Sequence, residues 1–461
     1  MRRAKMSLMV VSLLILAINP IIGVSVVEEP QRTVIARCGE GYLVEDAQGN
    51  QILHLKGSPY EMGYQQGVLL SEGVERVTHE YLDRFLFAMI DIDFDGSVFG
   101  PLWQFGRKIL AEICLRNEKY ISEEYRQEMR GVADGAGDSV TYEDVLTLNE
   151  GTDVISSIGY LLISAVYWPL SLIPGMSSLE SLLPIACNQF AVFGEGTTDG
   201  RLFHGRDFMW FIAGFLQDYT IMRVAEPDEG YPFIGVTFPG LVGIYEGMNT
   251  QGISCGMDAV TARDCKPLMC GECTLFVCRD VVQYASTLEE GIETIRKAPS
   301  YVSWIYGISD GKIPDAAIIE MSAGRFNIRR PQDLYSDQIE EKSCLVATTN
   351  HYIHPGMDGA FMDYGLEGSE WRYNYMVGKL IQNYSKIDVN IARDTIDYLH
   401  PPNYDYLKSE YRSSRYTDNP SQAVQVSISL FDPGNLEIWS LYGYYDRPWV
   451  HCSLKEEIGM G

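Results

Sequence analysis

Positive charge is what this 461-residue sequence lacks most. It holds 36 Lys and Arg against 62 Asp and Glu, and 36 − 62 leaves a net charge of −26. Nucleic-acid binding needs a basic footprint, so that class is excluded. The same deficit disfavours broad contact with anionic lipid headgroups. Histidine is scarce as well: there are seven, and they form no obvious Cys–His pair of the kind that activates a thiol. The chain has no internal repeat and no low-complexity linker. A hydrophobic share of 46% with 21% charged residues rules out a disordered acidic tail and allows a large buried core.

The N-terminus carries a targeting pattern. Arg2, Arg3 and Lys5 precede an apolar run from Met6 to Ile18, Asn19-Pro20 breaks it, and Gly23-Val24-Ser25 offers small residues for cleavage. This predicts a secretory signal peptide over residues 1–25, or an N-terminal anchor. The run is short for a membrane span of ~20 residues. Either outcome places the body outside the cytoplasm. A second apolar stretch, Ile155–Leu183, is punctuated by Pro169 and Pro174 and ended by Pro184. It predicts a buried helical hairpin or a flap over an apolar pocket. It and the N-terminus are the two candidates for membrane contact.

Export permits disulfides among the ten cysteines. The quartet Cys265-x4-Cys270-x2-Cys273-x4-Cys278 has metal-like spacing. However, Cys278 falls within the amphipathic stretch Leu275–Val282, which favours disulfides or buried thiols over a metal site. No metal and no cofactor is expected.

The rest of the chain divides by texture. Short strands at Thr33–Ala36 and Gln51–Lys56 precede a helical region running to about Leu148. Tyr60, Tyr64, Val68 and Leu69 are expected to mark one helix's apolar face. After Cys187, short β-like runs are separated by Gly, Asp and Pro turns. Helices follow at Thr274–Tyr284 and Leu288–Ala298, strands at Ala316–Met321 and Cys344–Thr348, helices at Glu370–Ser385 and Val389–Leu399, and closing strands. The pattern predicts an α+β domain of sheets sandwiched by helices.

Ala186-Cys187-Asn188-Gln189-Phe190 enters one of these strands, and the Gly194–Gly200 turn returns the chain through His204-Gly205-Arg206-Asp207-Phe208. The hairpin brings Arg206 back beside Cys187, where a guanidinium favours the reactive thiolate.

From Cys187 through Phe208 the sequence resembles the start of the catalytic chain of N-terminal-nucleophile amide hydrolases. It is most similar to the acyl-coenzyme A:6-aminopenicillanic-acid acyltransferase-like peptidases, with choloylglycine hydrolases and acid ceramidase as more distant likenesses. Gly57–Gly67, Gly131–Gly137, Pro239–Gly243, Gly247–Ile253, Thr348-Thr349-Asn350-His351 and Ser369–Tyr373 resemble that branch's motifs in order. The resemblance implies a four-layer αββα sandwich with a helix-rich N-terminal segment (26–186) ahead of a catalytic chain (187–461). It implies self-cleavage between Ala186 and Cys187, two chains that stay associated, and a free α-amine on Cys187. With a pKa of about 7.7–8.0, that amine serves as general base. The enzyme would take an acyl group from a small linear amide as a Cys187 thioester, then pass it to water or an amine. His204 and His351 are expected to be structural and Asn249 a turn residue.

Two positions depart from the family pattern. An oxyanion-stabilising Asn is expected where Asp258 stands, whereas Asn350 matches the second one. Met209 replaces the acid of the Arg-Asn-x-Asp pattern, and Asp207, two residues earlier on the same strand face, is its expected substitute. Arg372 is a candidate for charge stabilisation. The alternatives are a noncatalytic binding protein on this scaffold, motivated by Met209 and Asp258, and a lipid amidase whose acyl chain lies under Ile155–Leu183.

Overall fold

Among the described residues, the chain opens on strands. β1 (Thr33–Cys38), β2 (Gly41–Glu45) and β3 (Gln51–Gly57) make an antiparallel meander. The computed structural model describes residues 32–89, 100–171, 187–210, 215–266, 271–333, 342–361, 366–397, 424–443 and 447–460. The described residues from Thr33 onward form one unit. The targeting run, Ala186 and the stretch after Ser171 in the apolar segment lie outside the described residues.

Five helices follow: α1 (Pro59–Leu69), α2 (Ser71–Met89), α3 (Gly100–Asn117), α4 (Glu123–Ala136) and α5 (Tyr142–Ser171). The Gly57–Gly67 motif explains itself locally. Ser58 caps α1, Glu61 closes a capping box, and Pro59 takes the first turn, where its missing N–H costs nothing. The glycines act through packing. A Cβ on Gly63 would sit 1.9 Å from the Glu128 carbonyl oxygen, and one on Gly131 would sit 2.2 Å from that of Tyr60. Gly67 and Gly135 are equally confined. α1 and α4 therefore touch backbone to backbone. This reverses the expected face of α1: its glycines, Met62, Gln65 and Gln66 are buried, while Tyr60, Tyr64 and Val68 are exposed.

α5 runs unbroken from Tyr142 to Ser171, with Pro169 in its last turn, so the expected hairpin does not form before that point. No described helix is long and apolar enough to cross a membrane.

The remaining chain supplies β4 (Asn188–Gly194), β5 (Gly200–Trp210), α6 (Phe215–Tyr219), β6 (Ile221–Pro227), β7 (Phe233–Thr237), β8 (Glu246–Asn249) and β9 (Ile253–Ala259). Then come α7 (Thr274–Tyr284), α8 (Leu288–Lys297), β10 (Trp304–Asp310), β11 (Asp315–Ser322), β12 (Arg325–Arg329) and β13 (Leu345–Thr348). The last are α9 (Leu366–Gln382), α10 (Val389–Ile396), β14 (Val424–Asp432), β15 (Glu437–Tyr442), β16 (Val450–Ser453) and α11 (Leu454–Glu457). The large sheet is ordered β1-β2-β3-β6-β7-β8-β9-β10-β11-β12, and the small one β13-β4-β5-β14-β15-β16. β3 joins β6 in parallel, so the N-terminal segment contributes three strands to the large sheet as well as its helices.

Strand alternation sorts the core into layers. On the small sheet, Phe190, Val192 and Leu430 pack under Tyr373, Met376 and Leu380 of α9. Its other face, through Ala191 and Leu202, meets Ile305 and Ile318 of the large sheet. Beyond that, Cys255, Tyr306 and Ile308 meet Phe276 and Val281 of α7 and Ile292 of α8. The result is the four-layer αββα arrangement that the resemblance implied.

The three described members of the cysteine quartet have no common centre. Cys265 faces Ser303 (3.5 Å), Cys273 donates to the Asn149 carbonyl (3.2 Å), and Cys278 lies 3.6 Å from Cys255 as a thiol pair. Cys270 lies outside the described residues. Among the described residues, no group of three or more His, Cys, Asp or Glu is placed to hold a metal.

Candidate active site

Cys187 stands immediately before β4, buried, with its thiol donating to the Met209 carbonyl at 3.5 Å. Antiparallel register sets Asn188 opposite Asp207 and Gln189 opposite Arg206. Because side chains alternate, Arg206 and Asp207 leave β5 on opposite faces. The two residues that look equivalent in sequence therefore enter different environments.

Arg206 points between the sheets and is fully buried. It donates to the Met257 carbonyl and stacks over Phe208 (4.7 Å) and Tyr245 (5.6 Å). Two buried carboxylates share its charge: Glu246 at 3.6 Å and Asp258 at 3.7 Å. Both distances are longer than a hydrogen bond. Arg206 Nε and Nη1, Glu246 Oε2 and both Asp258 oxygens have no hydrogen-bond partner among the described residues. Burial pushes the Asp258 carboxyl up to about 7 even though Arg206 pulls it down.

Asp207 faces the helix layer. Asn188 donates to it (3.3 Å), Arg372 Nε donates to Asn188 (3.0 Å), and Arg372 Nη2 donates to Asn350 Oδ1 (2.7 Å). Asn350 in turn donates to the Ala259 carbonyl across the sheets (2.7 Å). Arg372 thus fixes which way the Asn350 amide points. One Asn350 amide hydrogen is used on the Ala259 carbonyl, and the amide carries a second.

The structure therefore joins five of the expected residues, Arg206 and Asp258 on one side and Asp207, Asn350 and Arg372 on the other, around Cys187. It also brings in residues that the sequence reading passed over. Asn188 is adjacent to the cysteine and links Asp207 to Arg372. Glu246 opens the Glu246-Gly247-Met248-Asn249 run, and its only sequence-level signal was a carboxylate inside an otherwise apolar strand.

Electrostatics alter one expectation. Arg206 does lower the Cys187 pKa, but burial outweighs it, and Asp258 and Asp207 add to the rise, so the thiol is pushed up to about 12. This environment favours the neutral thiol of Cys187.

The other singled-out residues are structural by their contacts. His204 sits between Ser254 (2.9 Å), Ser309 (3.1 Å) and Gln189 (3.2 Å), and burial depresses it to about 3. His351 meets Ser369 (2.8 Å) and is likewise driven to about 3 by burial. Asn249 closes its turn through Gln251 and Ile253 and caps α7 at Val282 and Ala285.

Phe208, Tyr245 and Met257, which surround Arg206, also line an apolar cavity of about 50 Å³ extending toward Tyr81, Trp210 and Trp304.

Two facing sheets between helix layers, with a cysteine at the head of an inner strand, make the four-layer sandwich of the N-terminal-nucleophile hydrolase fold. The profile of the acyl-coenzyme A:6-aminopenicillanic acid acyl-transferase family matches residues 197–424. The chain belongs to this family of acyl-transferases. It is 37% identical over 431 residues to an uncharacterized protein of Archaeoglobus fulgidus, covering 90% of this chain and 68% of the relative. Among solved structures it is similar to an N-acylethanolamine-hydrolyzing acid amidase ortholog of Caenorhabditis elegans, at 15% identity and a TM-score of 0.37. That match covers 54% of this chain and 93% of the other. It is also similar to a mutant conjugated bile acid hydrolase of Clostridium perfringens, at 13% identity and a TM-score of 0.39. That match covers 59% and 93%.

Proposed function

We propose that this chain is an exported precursor that cuts itself before Cys187 and then hydrolyses, or transfers the acyl group of, a small linear amide. The observation that carries the reading is the placement of Cys187 at the head of β4, between the Arg206 pair of carboxylates and the Asn350–Arg372 hydrogen bond. In self-cleavage, Cys187 Sγ attacks the Ala186 carbonyl carbon. The Ala186–Cys187 C–N bond breaks, the thiol proton passes to the departing nitrogen, and water hydrolyses the thioester to restore the thiol. The freed α-amine then serves as base for substrate. The Asn350 amide stabilises the oxyanion, Arg206 and Arg372 supply positive charge, and Asp207 orients the new amine through Asn188. The apolar cavity beside Arg206 suits the apolar part of the acyl group.

After cleavage the two chains stay associated through contacts that cross the cut. Asp153 accepts from Thr274 N (2.8 Å) and Trp304 Nε1 (3.0 Å), Asn149 accepts from Val242 N (2.9 Å), and Glu128 pairs with Arg279 (2.6 Å).

Intact-mass spectrometry of the purified protein tests the reading. The expected result is two fragments meeting at Ala186/Cys187, a shortened N-terminus, and a single uncut chain in Cys187→Ala. An uncut wild-type chain identical to the variant would refute it.

A further inference from the structure

The Arg206 cluster holds one cation and two carboxylates in a place without water-exposed atoms, so two negative charges cannot both be balanced there. The hydrogen bonds decide which carboxylate is ionised. Glu246 Oε1 accepts from Ser429 Oγ (2.7 Å) and Ser427 Oγ (3.2 Å), both on β14 beside β5. Ser429 also meets Ser440 (3.0 Å), which ties the donors into the next strand. Hydroxyl donors stabilise a carboxylate. Asp258 has no hydroxyl donor among the described residues, and the Gln189 amide acts on it without reaching hydrogen-bond geometry.

We propose that Glu246 is the positioning residue of this site: it takes the Arg206 charge as an ionised carboxylate and so leaves Asp258 protonated, an O–H donor in place of the family's asparagine amide. This rests on the proposed function for what the donor acts upon, and on the geometry alone for where the proton sits. A protonated Asp presents one O–H, as an Asn presents its N–H. The replacement that looked like a loss of an oxyanion donor then preserves it, provided Glu246 stays charged. Burial raises the Asp258 pKa most and the Glu246 charge adds to it, whereas Arg206, Gln189 and Arg372 lower it. The Cys187 thiol also faces Asp258. The donor is therefore lost as pH rises through about 7.

Infrared pH titration of the purified protein tests this without any substrate. The difference spectrum between wild type and Asp258→Asn isolates one protonated-carboxyl band from the other buried acids. That band is expected to disappear near neutral pH in wild type, and at least about one pH unit lower in Glu246→Gln. A band that survives Asp258→Asn and vanishes in Glu246→Gln would put the proton on Glu246 and overturn the proposal, as would an unshifted Asp258 band. If Glu246→Gln does not fold, Ser429→Ala replaces it: losing the hydroxyl donor shifts the Asp258 band the same way, and no shift overturns the proposal. In a protein that self-cleaves, Glu246→Gln slows cleavage about tenfold at pH 7, and that loss shrinks below about threefold in the Asp258→Asn background. An uncut protein refutes the proposed function but leaves the infrared result readable.

Discussion

Two of the buried arginine–carboxylate clusters among the described residues differ in how completely they are hydrogen-bonded. At the far edge of the large sheet, Glu320 accepts from Arg329 Nε (2.7 Å), Ile353 N (3.0 Å) and His354 N (3.0 Å), and Arg329 Nη2 donates to the Ala347 carbonyl (2.6 Å). Beside Cys187, Arg206 keeps its two carboxylates at 3.6 and 3.7 Å, and several polar atoms have no partner among the described residues. Both clusters are equally buried. A satisfied buried pair fixes structure, here the loop that follows Asn350. An unsatisfied one holds polar atoms that meet their partners only when something else arrives.

That contrast is open to direct attack. Arg206→Met is expected to reduce turnover by about 10²–10³-fold while lowering the melting temperature less than Arg329→Met does. Arg329→Met strands Glu320 and is expected to cost about 3–5 kcal/mol in denaturant unfolding. It should leave turnover of the folded fraction within about threefold. A reversed pattern would break the distinction between the clusters.

Arg372→Lys keeps the charge but loses the guanidinium geometry that reaches Asn188 and Asn350 together. The expected result is about a tenfold fall in kcat with KM changed less than about twofold. An equal rise in KM would mean that Arg372 binds substrate instead of aiming Asn350.

Glu150 on α5 sharpens the comparison from a third side. It is buried, one oxygen has no partner among the described residues, and burial, aided by the Asp153 charge, pushes it up to about 8. A carboxyl raised in the folded state contributes stability that is fully present below the unfolded pKa and is lost as pH rises through the folded one. Thermal melts are therefore expected to show the protein more stable at pH 5 than at pH 8.5, and Glu150→Gln should flatten the slope. A slope unchanged in the variant would assign the effect elsewhere.

The smallest effect belongs to α1. Tyr64→Ser, on the exposed face, should alter stability by no more than about 0.5 kcal/mol. A loss of 2 kcal/mol or more, on the order of a buried side chain, would restore the face expected from hydrophobic spacing.

Much of this was legible beforehand. Thr274–Tyr284 is helical as its apolar recurrence required, and the turn at Gly200 returns β5 to β4. Cys187, Arg206 and Asn350 were visible because each sits in a local pattern. β2 was missed, since Gly41–Glu45 is short and lies between two better-marked strands. The face of α1 was misread because spacing reports side-chain hydrophobicity, whereas this helix buries its backbone at glycines. Glu246 was invisible for a related reason: its role comes from Ser427 and Ser429, some 180 residues away in the chain.

By itself the sequence determined the order of most elements, the candidate cysteine, and the family, because capping residues, turn glycines and strand alternation act over a few residues. Tertiary structure decided the electrostatics. It set which face Asp207 and Arg206 occupy, left Cys187 a neutral thiol, and placed two carboxylates against one guanidinium. Such effects depend on burial and on distances between strands remote in sequence, and a charge acquires its pKa only when its neighbours are in place.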